Sequence, residues 1–158
     1  MFSELELKHL PWKPKGSNGE TSRIYVAPYK GRQLVKKVIR EGYEEELQNE
    51  INCLQALQDS PHFPTLYAYN IKDRVLYMAY CGKAMTLDTR PLNWEEQINA
   101  IVQDIYQANI TYSDIKPEHL CVYNDNTIRV IDFGRATVGP QTRSQDIYKF
   151  ATLAKDVV

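Results

Sequence analysis

The sequence predicts an α+β fold, with a β-rich first half carrying one helix and a second half built of helix, β-hairpin and helix. Three observations support this. Residues 22–40 and 65–82 alternate apolar and polar side chains around turn residues, the period-two pattern of hairpins. Residues 41–58 and 92–109 instead space their apolar residues by three and four, the period of a helix with one buried face. Finally, Asp114 and Asp132 each close an apolar, β-favouring run, in ITYSDIKPEH and RVIDFGRA. Charge at the end of a buried element needs a reason.

The elements follow in order. Residues 1–20 are polar, with Pro11, Pro14, Gly16 and Gly19, and predict an irregular lead-in ending in a turn. SRIYVAPYKGRQLVKKVIR predicts a hairpin with Ile24-Tyr25-Val26 and Leu34-Val35 in strands and Lys30-Gly31 in the turn. EGYEEELQNEINCLQALQ predicts a helix with Leu47, Ile51, Leu54 and Leu57 on one face, ended by Pro61 and Pro64. TLYAYNIKDRVLYMAYCG predicts a second hairpin turning near Lys72-Asp73. LNWEEQINAIVQDIYQAN predicts a helix with Asn93 and Glu96 as a capping box and Ile98, Ile101, Val102, Ile105 and Tyr106 inward. HLCVY and TIRVID predict short strands joined by Asn124-Asp125-Asn126, RATVGPQTRS a loop, and QDIYKFATLAKDVV a terminal helix.

Composition narrows the function. A chain of 158 residues can form one domain or two small lobes sharing a core. Nineteen basic residues against twenty acidic ones leave a net charge of −1, which argues against nucleic-acid and membrane-surface partners. Cys53, Cys81 and Cys121 are odd in number and fit no metal-binding spacing, so buried free thiols in a reducing compartment are expected. No apolar stretch approaches membrane-span length, and MFSELELKHL lacks the order of a signal peptide. The expectation is a cytoplasmic protein without membrane insertion.

SDIKPEHLCVYNDNTIRVIDFG resembles the catalytic loop, following hairpin and Asp-Phe-Gly motif of the protein-kinase superfamily, and the likeness extends from about Gly19 to the end of the chain. It implies a single kinase-like domain over 1–158: a β-rich N-lobe over about 15–80, a hinge over about 79–83 and a reduced helical C-lobe over about 84–158. It implies ATP with Mg²⁺ or Mn²⁺, because phosphoryl transfer needs clamped phosphates, neutralised charge and an aligned acceptor hydroxyl. Asp114 would orient that hydroxyl, Lys116 would neutralise the transferring group, and Asp132 would bind the metal. VKKV resembles the strand carrying the phosphate-pairing lysine. Lys36 is preferred because Leu34 shares its strand face, with Lys37 as the alternative. Glu50, in a stretch resembling helix C, would pair that lysine. In LYMAYCGKAM, Met78 would be the gatekeeper, and Ala79 to Cys81 would offer backbone groups to adenine. GSNGETSRIYV resembles a glycine-rich loop in which Ser17, Gly19, Ser22 and Ile24 hold the motif positions and only Gly19 keeps the glycine. Asp146 matches the residue that supports the catalytic loop from below.

Four departures shape the functional expectation. Tyr112-Ser113 replace the usual His-Arg, which removes the charge that a phosphorylated activation segment would pair with. His119 stands at the second metal position, where the family has Asn, and imidazole is a poor ligand for Mg²⁺. The segment between Gly134 and Gln145 is short and lacks Ala-Pro-Glu. The apolar face of the terminal helix (Ile147, Phe150, Ala151, Ala154, Val157) would cover the small core or meet another copy or partner. The expectation is a minimal kinase acting on Ser, Thr or Tyr hydroxyls of proteins, itself included. The alternatives are a small-molecule or glycan kinase of lipopolysaccharide type, and a pseudokinase that binds a partner protein.

Overall fold

Residues 22–39 form the hairpin their alternation predicts. In the computed structural model, which describes residues 2–16, 21–112, 115–139 and 149–158, β2 (Ser22–Tyr29) and β3 (Arg32–Ile39) pair antiparallel from Ser22↔Ile39 to Tyr29↔Arg32. Lys30 (φ 49°) and Gly31 (φ 77°) close the turn in left-handed conformations, as a tight two-residue hairpin requires. β4 (Leu66–Asn70) and β5 (Val75–Ala79) form the second hairpin, with β5 beside β3. β1 (Lys13–Pro14) joins the far edge, where a proline is tolerated, and gives the order β1-β2-β3-β5-β4.

The two faces of this sheet have different covers. Val35, Ile39, Leu76 and Met78 face the main core and helix α2 (Glu44–Ala56), which buries Leu47, Glu50, Ile51, Cys53 and Leu54. Leu34 and Tyr77 face the opposite way, into a second cluster with Leu7, Trp12 and Phe2. That cover comes from the first residues of the chain, which are not the irregular lead-in that was expected. Glu4–Lys8 form α1, capped by Ser3, whose hydroxyl accepts from the Glu6 amide while the Glu6 carboxylate accepts from the Ser3 amide. The signal, Ser followed three residues later by Glu, is present in the sequence. Glu4 accepts from Tyr77 and Asn70, Glu6 accepts from Tyr29, and the Trp12 indole donates to the Leu7 carbonyl.

In the second half, α3 (Trp94–Gln107) buries Ile98, Ile101 and Ile105, while Tyr106 is largely exposed. Asn93 sits at its N-cap but does not form the capping box. Its side-chain oxygen accepts instead from the Gln97 amide at 2.9 Å. The buried Gln97 also donates to Asn126 O and accepts from the Ile128 amide, tying α3 to the hairpin of β8 (Leu120–Val122) and β9 (Ile128–Val130). β6 (Lys83–Ala84) flanks β8. β7 (Ile110–Thr111) pairs with β10 (Thr137–Val138), a short strand in the stretch expected to be all loop. α4 (Lys149–Lys155) buries Phe150 and Ala154, whereas Ala151 is exposed. Ile147 and Asp146 lie outside the described residues.

The passage from β5 to β6 depends on Gly82. Its φ is +92°, and a Cβ there would stand 2.1 Å from the Val122 carbonyl oxygen. Gly82→Ala therefore meets both backbone strain and a clash with immobile backbone. A loss of about 3 kcal/mol is expected, read as a urea midpoint shift. A midpoint unchanged within error would mean that β6 does not hold this close approach in solution.

Candidate active site

The site is built where β3, α2 and the segment after β9 meet. Lysines occur at both 36 and 37, and strand alternation sends them to opposite faces. Lys37 points to the α2 side. It is 7% exposed, and its Nζ stands 2.7 Å from Glu50 Oε1 and 3.5 Å from Asp132 Oδ1. Lys36 points to the α1 side, over the rings of Tyr25 and Trp12. The preference for Lys36 is thereby corrected, since the lysine that meets Glu50 is Lys37. The premise that Leu34 and Lys36 share a face holds, but that face is covered by α1 and Trp12.

Burial alone would push the Lys37 ammonium down. The adjacent Glu50 and Asp132 carboxylates outweigh it and hold Lys37 above its ordinary value. Both Glu50 oxygens are engaged, Oε1 by Lys37 and Oε2 by the Phe133 amide at 2.8 Å. A buried carboxylate is tolerated only when satisfied in this way. Two more α2 side chains hold the same segment. Asn49 donates to Gly134 O, and Glu46 accepts from Arg135. Neither was singled out from sequence, because polar residues on a helix face give no sign of what they meet.

Asp132 has φ 72°, a left-handed conformation that costs a non-glycine residue on the order of 1–3 kcal/mol and collects at functional sites. Phe133 anchors it. The ring is fully buried, in edge contact with Tyr112 and Phe63 at centroid distances of 5.0 and 5.7 Å. The Lys37 ammonium first, then His119, hold the Asp132 carboxyl well below the usual carboxylate range against the opposing effect of burial. His119 is buried at the end of a single 3-10 turn, Pro117–His119, with Nε2 3.4 Å from Asp132 Oδ2. Lys116 is exposed at the start of that turn. Asp114 and Gly19 lie outside the described residues.

Of the backbone groups at 79–81, the Ala79 amide is taken by Thr65 O and the Tyr80 amide by Gln33 O. Ala79 therefore has no free donor to offer a base, and its carbonyl receives only a weak contact from the Cys81 thiol at 3.8 Å. Cys53, Cys81 and Cys121 are buried free thiols. Burial pushes Cys53 and Cys81 up to about 12 and Cys121 up to about 11, so they are poor nucleophiles. An open cavity of about 760 Å³ lies beyond β6, between Tyr80, residues 88–93 and Tyr123–Asn126; of the predicted site residues that the structure describes, Tyr80 of the 79–81 stretch lines it and Lys37, Glu50 and Asp132 do not.

A carboxylate and an imidazole nitrogen converging at 3.4 Å form a donor pair suited to a divalent cation. Among the described residues no group of three or more metal-ligating side chains occurs, so further ligands would have to come from a bound anion and water.

A buried Lys–Glu pair between sheet and helix, facing an Asp-Phe-Gly aspartate, is the arrangement of protein-kinase-like phosphotransferases. No family model matches the chain. Individual relatives do. The chain is 29% identical over 140 residues to serine/threonine-protein kinase 1 of African swine fever virus, covering 80% of this chain and 46% of that protein. It is 26% identical over 135 residues to developmentally-regulated protein kinase 1 of Dictyostelium discoideum (77% and 19%), and 25% identical over 118 residues to an Aurora kinase of Eremothecium gossypii (67% and 32%). The chain is thus similar, over about 80% of its length, to proteins named as serine/threonine-protein kinases. It spans about half the length of the viral relatives it matches.

Proposed function

We propose that this protein is an ATP-dependent kinase that transfers the γ-phosphate to Ser or Thr hydroxyls of proteins, its own included, with Tyr as a further acceptor. The observation that carries the reading is the assembled set of Lys37, Glu50 and Asp132. Packing alone gives no reason to bury a lysine and a glutamate beside an aspartate in left-handed conformation. The names of the viral, amoebal and fungal relatives support a protein acceptor.

In this reading residues 15–80 and 84–158 are two lobes joined by a hinge at 79–83, and ATP lies between them. Lys37, fixed by Glu50, holds the phosphates. Asp132 and His119 hold the divalent cation, whose role is to neutralise phosphate charge. Asp114 orients the acceptor hydroxyl, and Lys116 faces the transferring group. Gly19 allows close backbone approach to phosphate, and Cys81 offers its amide to the base. The setting is cytoplasmic; among the described residues no helix is long and apolar enough to cross a membrane.

The test combines nucleotide-dependent stability with transfer. ATP plus metal at a hundredfold excess over Kd should stabilise the fold by about 2.7 kcal/mol, roughly 5–10 °C in Tm. Asp132→Ala should remove that shift. Asp114→Ala should keep it while phosphate transfer to a generic protein acceptor falls at least a hundredfold. Undiminished transfer by Asp114→Ala would sink the catalytic assignment. No shift with any metal would move the reading to a pseudokinase that binds a partner protein. Transfer to sugars or lipopolysaccharide cores, with none to proteins, would make it a glycan kinase.

A further inference from the structure

Three consecutive residues after Asp132 are each bonded to a different side chain of α2. The Phe133 amide donates to Glu50 Oε2 at 2.8 Å, the Gly134 carbonyl accepts from Asn49 Nδ2 at 3.0 Å, and Arg135 Nε donates to Glu46 Oε1 at 3.2 Å. Positions 46, 49 and 50 are spaced by three and four, so they share one face of the helix. Gly134 is the middle rung. Its amide hydrogen-bonds the Asp132 carboxylate while its carbonyl is held by Asn49. A Cβ there would stand 3.4 Å from Glu46 Cβ and 3.7 Å from Asp132 Oδ1, so the residue is lodged between helix and carboxylate. On the other side of Asp132, Ile131 is fixed at both backbone groups. Its amide donates to His119 O at 3.0 Å, and its carbonyl accepts from the Tyr112 hydroxyl at 2.8 Å. Asp132 itself has φ 72°, a left-handed conformation that persists only where the surroundings hold it.

We infer that Asn49, Glu46 and Arg135 are positioning residues that keep Asp132 facing Lys37 with no phosphate on the chain, so that the nucleotide site is assembled as synthesised. In protein kinases, phosphorylation of the activation segment and placement of the helix carrying the lysine-pairing Glu control whether Lys, Glu and Asp stand together. Here they stand together, with Lys37 Nζ 2.7 Å from Glu50 and 3.5 Å from Asp132. A phosphate on the segment would need cationic partners to act as an ordering group. The sequence has Ser113 where the family has Arg beside the catalytic Asp. On α2, Glu46 is an acid that pairs with Arg135. A phosphate brought to this face would repel Glu46 and compete for Arg135, so it would loosen the segment rather than order it. The inference rests on the kinase reading for the identity of the ligand; the bonds between α2 and the segment do not.

The test has one arm without nucleotide and one with it. In the first, hydrogen exchange is followed amide by amide. Asn49→Ala removes the bond to Gly134 and favours the helix, so any loosening comes from the segment. It should speed exchange at the Phe133 amide about tenfold or more and leave the amides of Ile101 and Ile105 in α3 at the wild-type rate. Equal acceleration at all three amides, or none at Phe133, would overturn the inference. In the second arm, ADP affinity is measured with Mg²⁺ or Mn²⁺ present. Asn49→Ala and Glu46→Arg should each weaken it about tenfold. The double variant Glu46→Arg/Arg135→Glu restores the pair with its charges reversed, and should return affinity to within about threefold of wild type. A reversed pair that rescues Tm without rescuing affinity marks a purely structural contact and would overturn the inference. Wild type treated with phosphatase should bind ADP and transfer phosphate as before; a loss of about tenfold or more would overturn it as well. Where Glu46→Arg does not fold, Asn49→Ala and the phosphatase treatment decide. Failure of ADP to bind wild type with any metal would count against the kinase reading, and the exchange arm alone would then decide whether α2 holds Asp132 in place.

Discussion

Lys37→Met should abolish both nucleotide-dependent stabilisation and phosphate transfer, while Lys36→Met should leave both near wild type. The asymmetry follows from burial. Removing the Lys37 ammonium leaves the Glu50 carboxylate 1% exposed with, among the described residues, the Phe133 amide as its remaining partner. Breaking a buried ion pair in this way costs about 3–5 kcal/mol, because the surviving charge is uncompensated. In a chain of this size that lowers Tm by roughly 10 °C. Lys36 has no carboxylate partner among the described residues and rests on Tyr25 and Trp12, an interaction worth about 0.5–1 kcal/mol. Thermal unfolding of the two variants side by side tells them apart. The double variant Lys37→Met/Glu50→Met then separates stability from function. It should recover much of the lost Tm, since no buried charge remains, and recover none of the nucleotide response. A Lys36→Met variant that loses the nucleotide response while Lys37→Met keeps it would reverse the assignment.

That pair of lysines also marks how far the sequence could be read. Hairpins, helix positions and the inward stripe of α2 follow from local periodicity, which the chain states plainly at Leu47, Ile51 and Leu54. Strand parity likewise placed Leu34 with Lys36 and, by the same rule, Val35 with Lys37. Parity cannot say which face receives the phosphates when both faces are covered. The deciding fact is that α1 and Trp12 occupy the Leu34 face, and this depends on a contact between chain ends and strands some thirty to seventy residues apart. Gln97 displacing the Asn93 cap is the same kind of event, a tertiary hydrogen bond overriding a local motif. The contact of the Tyr112 hydroxyl with His119 and Ile131 was hidden for a further reason. Sequence shows that two motif positions have changed, but not that the two replacements touch each other.

Phe150→Ala should cost about 3–5 kcal/mol, as large a loss as any single core truncation in this protein. The described part of α4 is Lys149–Lys155, and most helical stability in a protein comes from packing of an apolar face rather than from propensity. What holds it is burial of Phe150, fully inaccessible and 5.6 Å from the Tyr112 ring, with Ala154 one turn on. Arg90 adds a clamp at the far end. Its guanidinium donates to the Ala154 and Lys155 carbonyls, where helix carbonyls lack internal partners, and stacks over Trp94. Truncating Phe150 would leave a cavity directly behind Tyr112 and so loosen the ring that abuts Phe133 and His119. The loss should therefore appear twice, as a lower urea midpoint and as weaker metal-dependent nucleotide binding. Phe150→Leu, which refills most of the volume, should restore the second readout and most of the first. A midpoint change below about 1 kcal/mol would mean that the helix is dispensable to this core. Its apolar face would then be available to a second copy of the chain, and sedimentation of the wild type should show a dimer that Phe150→Ala dissociates.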